Sequence, residues 1–449
     1  MTTDLAEKYD LRVPRYTSYP TAPHFSDAVD GGAYAGWLAA LEPSRPLSLY
    51  FHIPFCDSMC WFCGCYTKVV KRYAPVRHYL DVLLAEIELV ADALPARFGV
   101  RHLHWGGGSP TMLKGVDWRR TIDALRRRFD VAETAEIAVE LDPRDATEDY
   151  IAALASAGVN RASIGVQDFD PEVQAAINRI QPYEVVERVC GWLRKHGIDS
   201  INLDLMYGLP HQTDARVEAM VDHAVRLQPA RVALFGYAHV PWMKTHQKLI
   251  DEAALPGVRA RWRQADAGAR RLTESGYCPV GLDHFARPDD ELARALDAGS
   301  VHRNFQGYTT DGAEVLLGLG ASAIGRLPQG YVQNSSPLNP YEEAIAAGHL
   351  PVVRGIELDA DDRLRAEVIE RLMCDLAVDL GAVCRRHGVE TTVFEDEIER
   401  LAPLADDGIC TVDGARIAVT EAGRPLVRLV AATFDAYLGR GGGRHSRAV

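Results

Sequence analysis

Four of the nine cysteines crowd into ten residues, in the segment HIPFCDSMCWFCGCYTK. Cys56, Cys60 and Cys63 are spaced CxxxCxxC, and Cys65 follows two residues later. Thiolates at such spacings bind zinc or an iron–sulfur cluster. The other five cysteines are scattered along the chain: Cys190, Cys278, Cys374, Cys384 and Cys410. We interpret these five as small buried side chains, because an odd total does not suit a disulfide framework.

The cysteine segment suits an iron–sulfur cluster better than zinc. Structural zinc sites combine paired CxxC knuckles into a closed set of four ligands, and no second pair lies at that distance. Cys65 is too close to Cys63 to be an easy fourth ligand of the same ion. Three cysteines on a four-iron cluster leave one iron open to a small chelating molecule. A zinc knuckle and a chance group of buried thiols remain the alternatives.

Candidate ligand-binding residues follow other predicted strands. Gly106, Gly107 and Gly108 form a glycine-rich turn, which permits unusual φ values and the close approach of a ligand. Four polar residues lie at or after later strands: Glu140, Gln167, Arg179 and Asp204. A carboxylate can hold ribose hydroxyls or an ammonium group, and an arginine can hold a carboxylate as a fork. Asp142, in DPR, is expected to be a turn or cap residue.

Alternating strands and helices must position these residues. Short runs rich in β-branched and aromatic residues predict strands at 47–53, 101–105, 136–141, 161–166, 201–206 and 231–237, with a weaker seventh candidate at 278–282. Amphipathic stretches predict helices at 75–93, 116–129, 147–157, 183–196, 213–227 and 256–276. Repeated strand–helix units imply parallel strands joined by right-handed crossovers.

A doubly wound sheet and a barrel both fit this order of elements. The strand ends favour a barrel, since they carry unusual sequences: HIPFC, WGGGSP, ELDPR, VQDF, DLMYGLP and GYAHVP. Chemistry gathered at the carboxyl ends of successive strands is how (β/α) barrels build their sites. With six strong units, the α/β fold is predicted to be a partial (β/α)6-type barrel rather than a full set of eight.

The pattern changes after about Asp359. Helices are predicted at 361–378, 391–403 and 423–438, and the segment ICTVDGARIAVT predicts a hairpin that turns at Asp413–Gly414. Helices with a hairpin indicate a smaller, winged-helix-like domain, and the tail GRGGGRHSRAV is expected to be frayed. We expect three units, at 1–35, 36–358 and 359–449.

Composition excludes several classes of function. The formal net charge of −13 argues against nucleic-acid binding, which depends on a basic surface. No apolar stretch is long enough to span a bilayer, and the N-terminal sequence MTTDLAEKYDLRVPRYTSYP lacks the apolar core of a signal peptide. We therefore expect a soluble, cytoplasmic protein that binds neither nucleic acid nor membranes.

Taken together, the motifs resemble the oxygen-independent coproporphyrinogen III oxidases of the radical S-adenosylmethionine (SAM) superfamily. The CxxxCxxC spacing with Phe62 before its last cysteine is similar to that superfamily, and WGGGSP resembles its GGE-type motif, with Ser109 where the family usually has threonine. Further similar stretches run in order along the chain: PRYTSYPTAPHF, VELDPR, VQDF, NLDLMYGLP, YAHVP, DHFARPDDELA, HRNFQGYTT and LAPLADDGI.

The resemblance implies a reaction of haem biosynthesis. Two propionates of coproporphyrinogen III, on rings A and B, would be oxidatively decarboxylated to give protoporphyrinogen IX. A 5′-deoxyadenosyl radical, made from SAM at a reduced [4Fe–4S] cluster, would remove a hydrogen atom from the propionate β-carbon. The implied partners are the substrate, a flavodoxin- or ferredoxin-like electron donor and an electron acceptor of unknown identity. We expect a monomer.

The resemblance also implies site residues. Cys56, Cys60 and Cys63 would ligate the cluster, with Tyr50 beside them in the catalytic centre, and Cys65 would be a non-ligating cysteine. Two SAM molecules would be bound by a larger set: Tyr50, Phe62, Gly107, Gly108, Ser109, Glu140, Gln167, Arg179, Asp204, Ala238 and Ile324.

Substrate capture requires a local basic pocket, because coproporphyrinogen carries four propionates and the chain is acidic. Arginine is the expected residue, since its fork matches a carboxylate. The candidates are Arg12, Arg15 and Arg303. The N-terminal segment lacks helical or strand periodicity, so we expect a mobile lid that folds over the ligand.

Two other functions are compatible with parts of the sequence. A haem-binding chaperone of the same lineage would typically have an aromatic residue at the position of Cys65 and no segment like PRYTSYPT. A nucleic-acid binder would fit the winged-helix pattern but not the acidic charge. In an oxidase, the C-terminal domain would cover the substrate cleft.

Overall fold

Six parallel strands form the centre of the fold. The structure, a computed structural model, describes residues 3–439. The six strands are Leu47–Ile53, Gly99–Gly107, Asp130–Leu141, Arg161–Gln167, Ser200–Tyr207 and Arg231–Gly236. Each pairs in parallel with the next in chain order. The predicted partial (β/α)6 barrel is confirmed, and each strand overlaps its predicted range.

Six long helices connect the strands or follow the last one, close to the predicted ranges. They are Tyr73–Ala93, Gly115–Arg128, Glu148–Ala157, Tyr183–Lys195, Asp214–Arg226 and Val258–Glu274. Their apolar faces are buried against the sheet in one large core. Their ends follow local signals: the Thr147 hydroxyl accepts from the Tyr150 N–H at 3.2 Å, and Gly158 ends that helix with φ +98°. Shorter helices outside this set are Gly31–Ala39, Pro171–Ala176, Glu291–Asp297 and Leu338–Ala346.

Further strands extend both edges of the barrel sheet to twelve strands. The seventh candidate at 278–282 forms Cys278–Val280, which pairs antiparallel with His284–Ala286, itself antiparallel to Arg231–Gly236. Three residues join this hairpin, too few for a parallel crossover. At the opposite edge Val315–Leu319 pairs in parallel with Leu47–Ile53. Three antiparallel strands that were not predicted continue the sheet: Ile324–Leu327, Gly330–Asn334 and Val352–Glu357.

The N-terminal segment is packed into the molecule, contrary to the expectation of a mobile lid. It begins with the helix Thr3–Lys8, and five of its side chains lie in the core of the C-terminal unit: Ala6, Tyr9, Val13, Tyr16 and Tyr19. The buried apolar area of these residues explains why a segment without periodicity is ordered. The helix Gly31–Ala39 spans the boundary expected at residue 35 and packs on the barrel. We therefore propose a boundary near Asp30.

The C-terminal unit combines helices with a small sheet, as expected. Its helices are Ala360–Asp375, Leu380–His387, Glu395–Arg400, Ala402–Asp406 and Val427–Ala432, and its strands are Ala377–Asp379, Cys410–Asp413 and Arg416–Val419. The hairpin turns at Gly414–Ala415, one residue later than predicted, because Gly414 supplies the positive φ of 57° at the first turn position.

The last helix is shorter than the predicted 423–438. After Ala432 the N–H groups of Thr433, Phe434 and Asp435 bond to carbonyls three residues earlier, and the next two bond to side chains. Ala436 donates to the Tyr19 hydroxyl at 3.0 Å and Tyr437 donates to Asp435 at 2.8 Å, in place of the bonds that would continue the helix. Most of the tail expected to be frayed, 440–449, lies outside the described residues. No helix within residues 3–439 is both long and apolar enough to cross a membrane.

Candidate active site

The cysteine segment forms a loop at the carboxyl end of the first barrel strand. Two short parallel strands, Phe55–Cys56 and Lys68–Val69, close the loop at its base. Cys56, Cys60 and Cys63 line a cavity of about 320 Å³. The three thiols therefore face one space that could hold a ligand.

Each of these three sulfur atoms accepts a hydrogen bond. Thr67 Oγ1 donates to Cys56 Sγ at 3.2 Å, and the Cys65 N–H donates to Cys63 Sγ at 3.4 Å. Two arginines donate to Cys60 Sγ. Hydrogen bonds to the sulfur atoms are typical of iron–sulfur ligands and influence their reduction potential.

The donor set fits a four-iron cluster better than a single ion. Among the described residues, no group of three or more His, Cys, Asp or Glu side chains could hold a lone metal ion. Three thiols spaced around a cavity instead suit a four-iron cluster, which is larger than a single metal ion. Burial raises the pKa of Cys56 to about 12, so bound iron would have to displace its proton. Cys65 also lines this cavity, and its predicted non-ligating role stays a prediction.

Two guanidinium groups surround Cys60. Arg179 Nη1 lies 3.4 Å and Arg144 Nη2 3.5 Å from Cys60 Sγ. Arg179 Nη1 also donates to Asp142 Oδ2 at 3.0 Å, and Arg144 Nη2 donates to the same oxygen at 2.6 Å. The Asp142 carboxylate does bond the Arg144 N–H as a turn residue would, but it also orients both guanidinium groups toward the cysteine. The expected turn role is confirmed, and Asp142 has a second role that the sequence did not predict.

The remaining donors of Arg179 also bond to protein atoms. Its Nη2 donates to the Gly165 carbonyl at 2.6 Å, and its Nε donates to Gln181 Oε1 at 3.0 Å. Arg179 is 7% exposed. Its fork thus holds the cysteine loop and neighbouring strand ends, in addition to any contact with a ligand.

Close packing of protein atoms leaves no room for a Cβ atom in the glycine-rich turn. A Cβ on Gly106 would lie 2.7 Å from Glu140 Oε1, and one on Gly107 would lie 2.6 Å from the His52 ring. One on Gly108 would lie 2.5 Å from Thr67 Oγ1. Gly107 also has φ +112°. The expected unusual φ is present, and the close approach comes from the protein's own side chains.

Two carboxylates of this cavity lie on strands separated by one strand, Arg161–Gln167. Glu140 Oε2 accepts from the Gly107 N–H at 3.1 Å, and Oε1 lies 3.2 Å from His104 Nε2. Asp204 is bonded by Ser163 Oγ at 2.9 Å and by Asn202 Nδ2 at 2.8 Å. Burial, with a smaller contribution from the Glu140 charge, raises the pKa of Asp204 to about 6.

Most of the predicted SAM-contacting residues meet at the cysteine cavity, whereas three do not line it. Those on its wall are Phe62, Gly107, Gly108, Ser109, Glu140, Gln167, Arg179 and Asp204. Tyr50 does not line the cavity but contacts a residue that does. Its hydroxyl hydrogen-bonds His52 Nδ1 at 3.1 Å, and its ring stacks on the ring of His104, which lines the cavity. Ile324 lies two strands away from Tyr50 in the sheet, because the strand that carries Gly318 lies between their strands. Ala238 lines a different cavity.

Several residues of the site were not predicted. Gln247 Nε2 donates to the carbonyl of Phe62 at 2.9 Å and to that of Ala238 at 3.3 Å, which ties the cysteine loop to a later strand end. His246 Nε2 lies 2.7 Å from the Cys63 carbonyl. Their short 3-10 helix, Thr245–Leu249, carries no recognisable motif, so only its position reveals this role.

A second, larger cavity of about 970 Å³ lies beside the cavity lined by Cys56, Cys60 and Cys63. We call the larger one the basic cavity and the other the cysteine cavity. Seven arginines line it: Arg12, Arg15, Arg261, Arg270, Arg303, Arg424 and Arg428. All three arginines proposed from the sequence are among them. Its volume is near the upper end of the range of small-molecule pockets, about 300–1,000 Å³.

Arg303 has hydrogen-bonding capacity that the protein does not use. Its guanidinium stacks 4.3 Å from the centre of the Tyr308 ring, and Nη2 donates to the Arg15 carbonyl at 3.3 Å. Its buried Nε and Nη1 have no partner among residues 3–439. Arg12 stacks 5.0 Å from the Trp242 ring. Unpaired buried donors of this kind are costly unless a ligand accepts from them.

The two cavities share one wall. Phe235 lines the cysteine cavity, whereas its neighbours Leu234 and Gly236 line the basic cavity. Of the residues described, His284 alone lines both. A ligand in the basic cavity would therefore lie next to whatever occupies the cysteine cavity.

Comparison with known proteins agrees with this geometry. Residues 50–224 match the Radical SAM superfamily, and residues 358–426 match the HemN C-terminal domain. The chain is 52% identical over 450 residues to the oxygen-independent coproporphyrinogen III oxidase of Bradyrhizobium diazoefficiens, covering 100% of both chains. It is 45% identical to that of Paracoccus denitrificans, covering 96% of this chain and 95% of the relative.

A solved structure extends the likeness to the whole fold. Coproporphyrinogen III oxidase (HemN) from Escherichia coli, a radical SAM enzyme, superposes with a TM-score of 0.90 at 40% identity, covering 95% of this chain and 100% of that one. The cysteine loop, the barrel and the C-terminal unit all fall within these matches. This chain therefore belongs to the oxygen-independent coproporphyrinogen III oxidase family of the radical SAM superfamily.

Proposed function

We propose that this chain converts coproporphyrinogen III to protoporphyrinogen IX by oxidative decarboxylation of two propionates, without oxygen. The observation that carries the proposal is the shared wall between a cysteine-lined cavity and an arginine-lined cavity. One cavity suits the chemistry that makes a radical, and the other suits a tetracarboxylate. Their contact at His284 would bring a propionate beside the radical source.

Cys56, Cys60 and Cys63 would hold a [4Fe–4S] cluster in this proposal. When bound, the cluster with SAM supplies the 5′-deoxyadenosyl radical that removes a hydrogen atom from a propionate β-carbon. Arg144 and Arg179 would stabilise the negative charge on the Cys60 sulfur through their hydrogen bonds.

We further propose that the residues on the cysteine-cavity wall bind SAM. Glu140 and Asp204 offer carboxylates for ribose hydroxyls or an ammonium group. Tyr50, Ile324 and Ala238 do not line that cavity, so we assign them to a second SAM molecule in a separate place. The stoichiometry of two is part of this proposal.

The arginines of the basic cavity would bind the four propionates. Arg12 and Arg15 come from the N-terminal segment, Arg303 from the barrel domain and Arg428 from the C-terminal unit. A ligand held by all of them would be enclosed by three parts of the chain, which excludes water from the reacting groups. We propose the three units, with the first boundary near residue 30, as the parts that enclose the substrate.

The remaining parts of the proposal concern partners. We propose a flavodoxin- or ferredoxin-like electron donor, a separate electron acceptor, a cytoplasmic location and a monomer that binds no nucleic acid. The charge of −13 supports the last point.

An anaerobic assay tests the function. Purified protein with a reconstituted cluster is incubated with coproporphyrinogen III, SAM and a reductant, and the products are oxidised and read by porphyrin fluorescence. We expect protoporphyrin, and none when SAM is omitted. Tight haem binding without any decarboxylation would instead identify a haem-binding chaperone.

A further inference from the structure

Asp283 differs from the other acids on the wall of the basic cavity. Its side chain is 15% exposed. The remaining acidic residues on that wall are exposed: Glu252, Asp266, Glu274 and Glu421. Asp283 lies at the turn between Cys278–Val280 and His284–Ala286, and its carbonyl accepts from the Leu234 N–H at 2.8 Å. This bond fixes the backbone of Asp283 beside His284, the residue that lines both cavities.

Only one oxygen of this carboxylate is engaged by the protein. Asp283 Oδ1 lies 2.8 Å from His284 Nδ1. Within the described part of the chain, no residue hydrogen-bonds Oδ2. Arg303 and Arg15 are close enough to act on the carboxylate electrostatically, but neither donates a hydrogen bond to it. Arg15 Nη2 donates to the Gly236 carbonyl at 3.1 Å, Arg303 Nη2 donates to the Arg15 carbonyl, and Arg303 Nε and Nη1 have no partner among the described residues.

The carboxylate is ionised at neutral pH. Burial raises the pKa of Asp283, but the His284 hydrogen bond and the charges of Arg303, His284 and Arg15 outweigh it and lower the pKa to about 2. A charged carboxylate on a cavity wall, with one oxygen that no described residue bonds, is free to accept a hydrogen bond from a molecule in that cavity. A ligand that offers a donor there would gain a charge-assisted hydrogen bond.

The proposed substrate has such donors at its centre. A porphyrinogen carries four pyrrole N–H groups inside the ring and its carboxylates at the periphery. The cavity has the complementary arrangement, with one enclosed carboxylate among seven arginines. We propose that Asp283 accepts hydrogen bonds from the pyrrole N–H groups of the reduced tetrapyrrole, while the surrounding arginines bind its propionates. This inference rests on the proposed function and identifies a residue that selects the oxidation state of the ligand.

Oxidation of the ligand removes the match. A porphyrin has only two inner N–H groups, and its other two nitrogens are acceptors that face a carboxylate unfavourably. Asp283 should thus favour coproporphyrinogen III over coproporphyrin III. His284, held by Asp283, places this contact at the wall shared with the cysteine cavity.

Binding measurements on the cluster-loaded protein, without SAM or reductant, test the inference. Anaerobic ultrafiltration, with oxidation of the samples afterwards, gives Kd for coproporphyrinogen III, and fluorescence gives Kd for coproporphyrin III. We expect wild type to prefer the porphyrinogen by at least tenfold, which is about 1.4 kcal/mol. In Asp283→Asn, which keeps an acceptor for His284, porphyrinogen binding should weaken at least tenfold and the preference should disappear.

The sign of the effect separates this role from simple electrostatics. Removing an acid from a basic cavity should strengthen the binding of a tetracarboxylate if charge alone matters. Asp266→Asn, an exposed acid on the same wall, measures that contribution and should bind porphyrinogen as tightly as wild type or more tightly. An Asp283→Asn protein that behaves like Asp266→Asn would overturn the inference.

A further variant keeps the inference testable even when the first substitution prevents folding. If Asp283→Asn does not fold, Asp283→Glu keeps the charge but moves the oxygens, so the preference should fall; an unchanged preference would contradict the proposed role. Wild-type turnover is measured separately. A protein that decarboxylates the substrate yet shows no Asp283-dependent preference refutes this inference alone, and one that neither binds nor converts the substrate refutes the proposed function as well.

Discussion

The Tyr16 hydroxyl donates a hydrogen bond of 3.0 Å to the Asp435 carboxylate, joining residues that are 419 positions apart. Both side chains are buried. Together with the apolar contacts of the N-terminal segment, this bond makes the first part of the chain a structural element of the C-terminal unit. Deleting residues 1–22 would therefore unfold that unit, so point substitutions are needed to test the segment.

Tyr16→Phe should destabilise the protein. The substitution leaves Asp435 without this donor, and a hydrogen bond to a charged group contributes about 1.5–3 kcal/mol. Denaturant unfolding measures the loss. Tyr183→Phe is the matched control, because among the described residues nothing bonds the Tyr183 hydroxyl, and its stability should stay near wild type. Equal stabilities of the two variants would show that the Tyr16 bond contributes nothing.

Serine substitutions should separate the cluster ligands from their neighbour. Cys56→Ser, Cys60→Ser and Cys63→Ser should each lose the iron–sulfur absorbance, because an alcohol is a poor substitute for a thiolate ligand. Cys65→Ser should keep the absorbance and the iron content. Retention of the cluster by Cys60→Ser together with its loss in Cys65→Ser would require a different ligand set.

Arg144→Gln should make the cluster harder to reduce. Arg144 places a positive charge and a 3.5 Å contact on Cys60 Sγ, and both stabilise the more negative, reduced state. A contribution of about 1 kcal/mol corresponds to roughly 45 mV for one electron. A redox titration followed by electron paramagnetic resonance measures the shift. Lys71→Gln, an exposed cation of the same loop paired with Asp57, should leave the potential unchanged.

Asp204 should give the stability a characteristic pH dependence. Burial raises its pKa to about 6 from an ordinary value of 3.8, so the native state holds this proton more tightly than the unfolded state does. Its buried charge therefore destabilises the fold fully above pH 6, and this penalty disappears as the pH falls toward 4.

The comparison with Asp204→Asn isolates this group. At pH 7.5 the apo variant should be more stable than apo wild type in thermal unfolding, and the difference should shrink at pH 5. A difference that does not change with pH would mean that Asp204 does not titrate in this range. SAM affinity should be lower for the variant at pH 7.5, because the ionised carboxylate is the proposed ligand for the cofactor.

The local patterns of the sequence were sufficient to predict the barrel and the cysteine loop. The strands at 47–53 and 161–166 and the helix at 183–196 arise from hydrophobic periods of two and 3.6, which act between near neighbours in the chain. The CxxxCxxC spacing is similarly local, since one loop carries all three thiols. Such local features do not depend on how the rest of the chain folds.

Contacts between distant residues could be decided only by the tertiary structure. Nothing in DPR indicates that Asp142 orients Arg179 toward Cys60, and nothing in DHF indicates that Asp283 lines the basic cavity next to His284, which lines both cavities. The N-terminal segment has no periodicity of its own, yet it is ordered because its apolar side chains fill a core made by residues about 350 to 420 positions later. Sequence spacing reports local conformation, whereas packing of the whole chain selects which distant side chains meet.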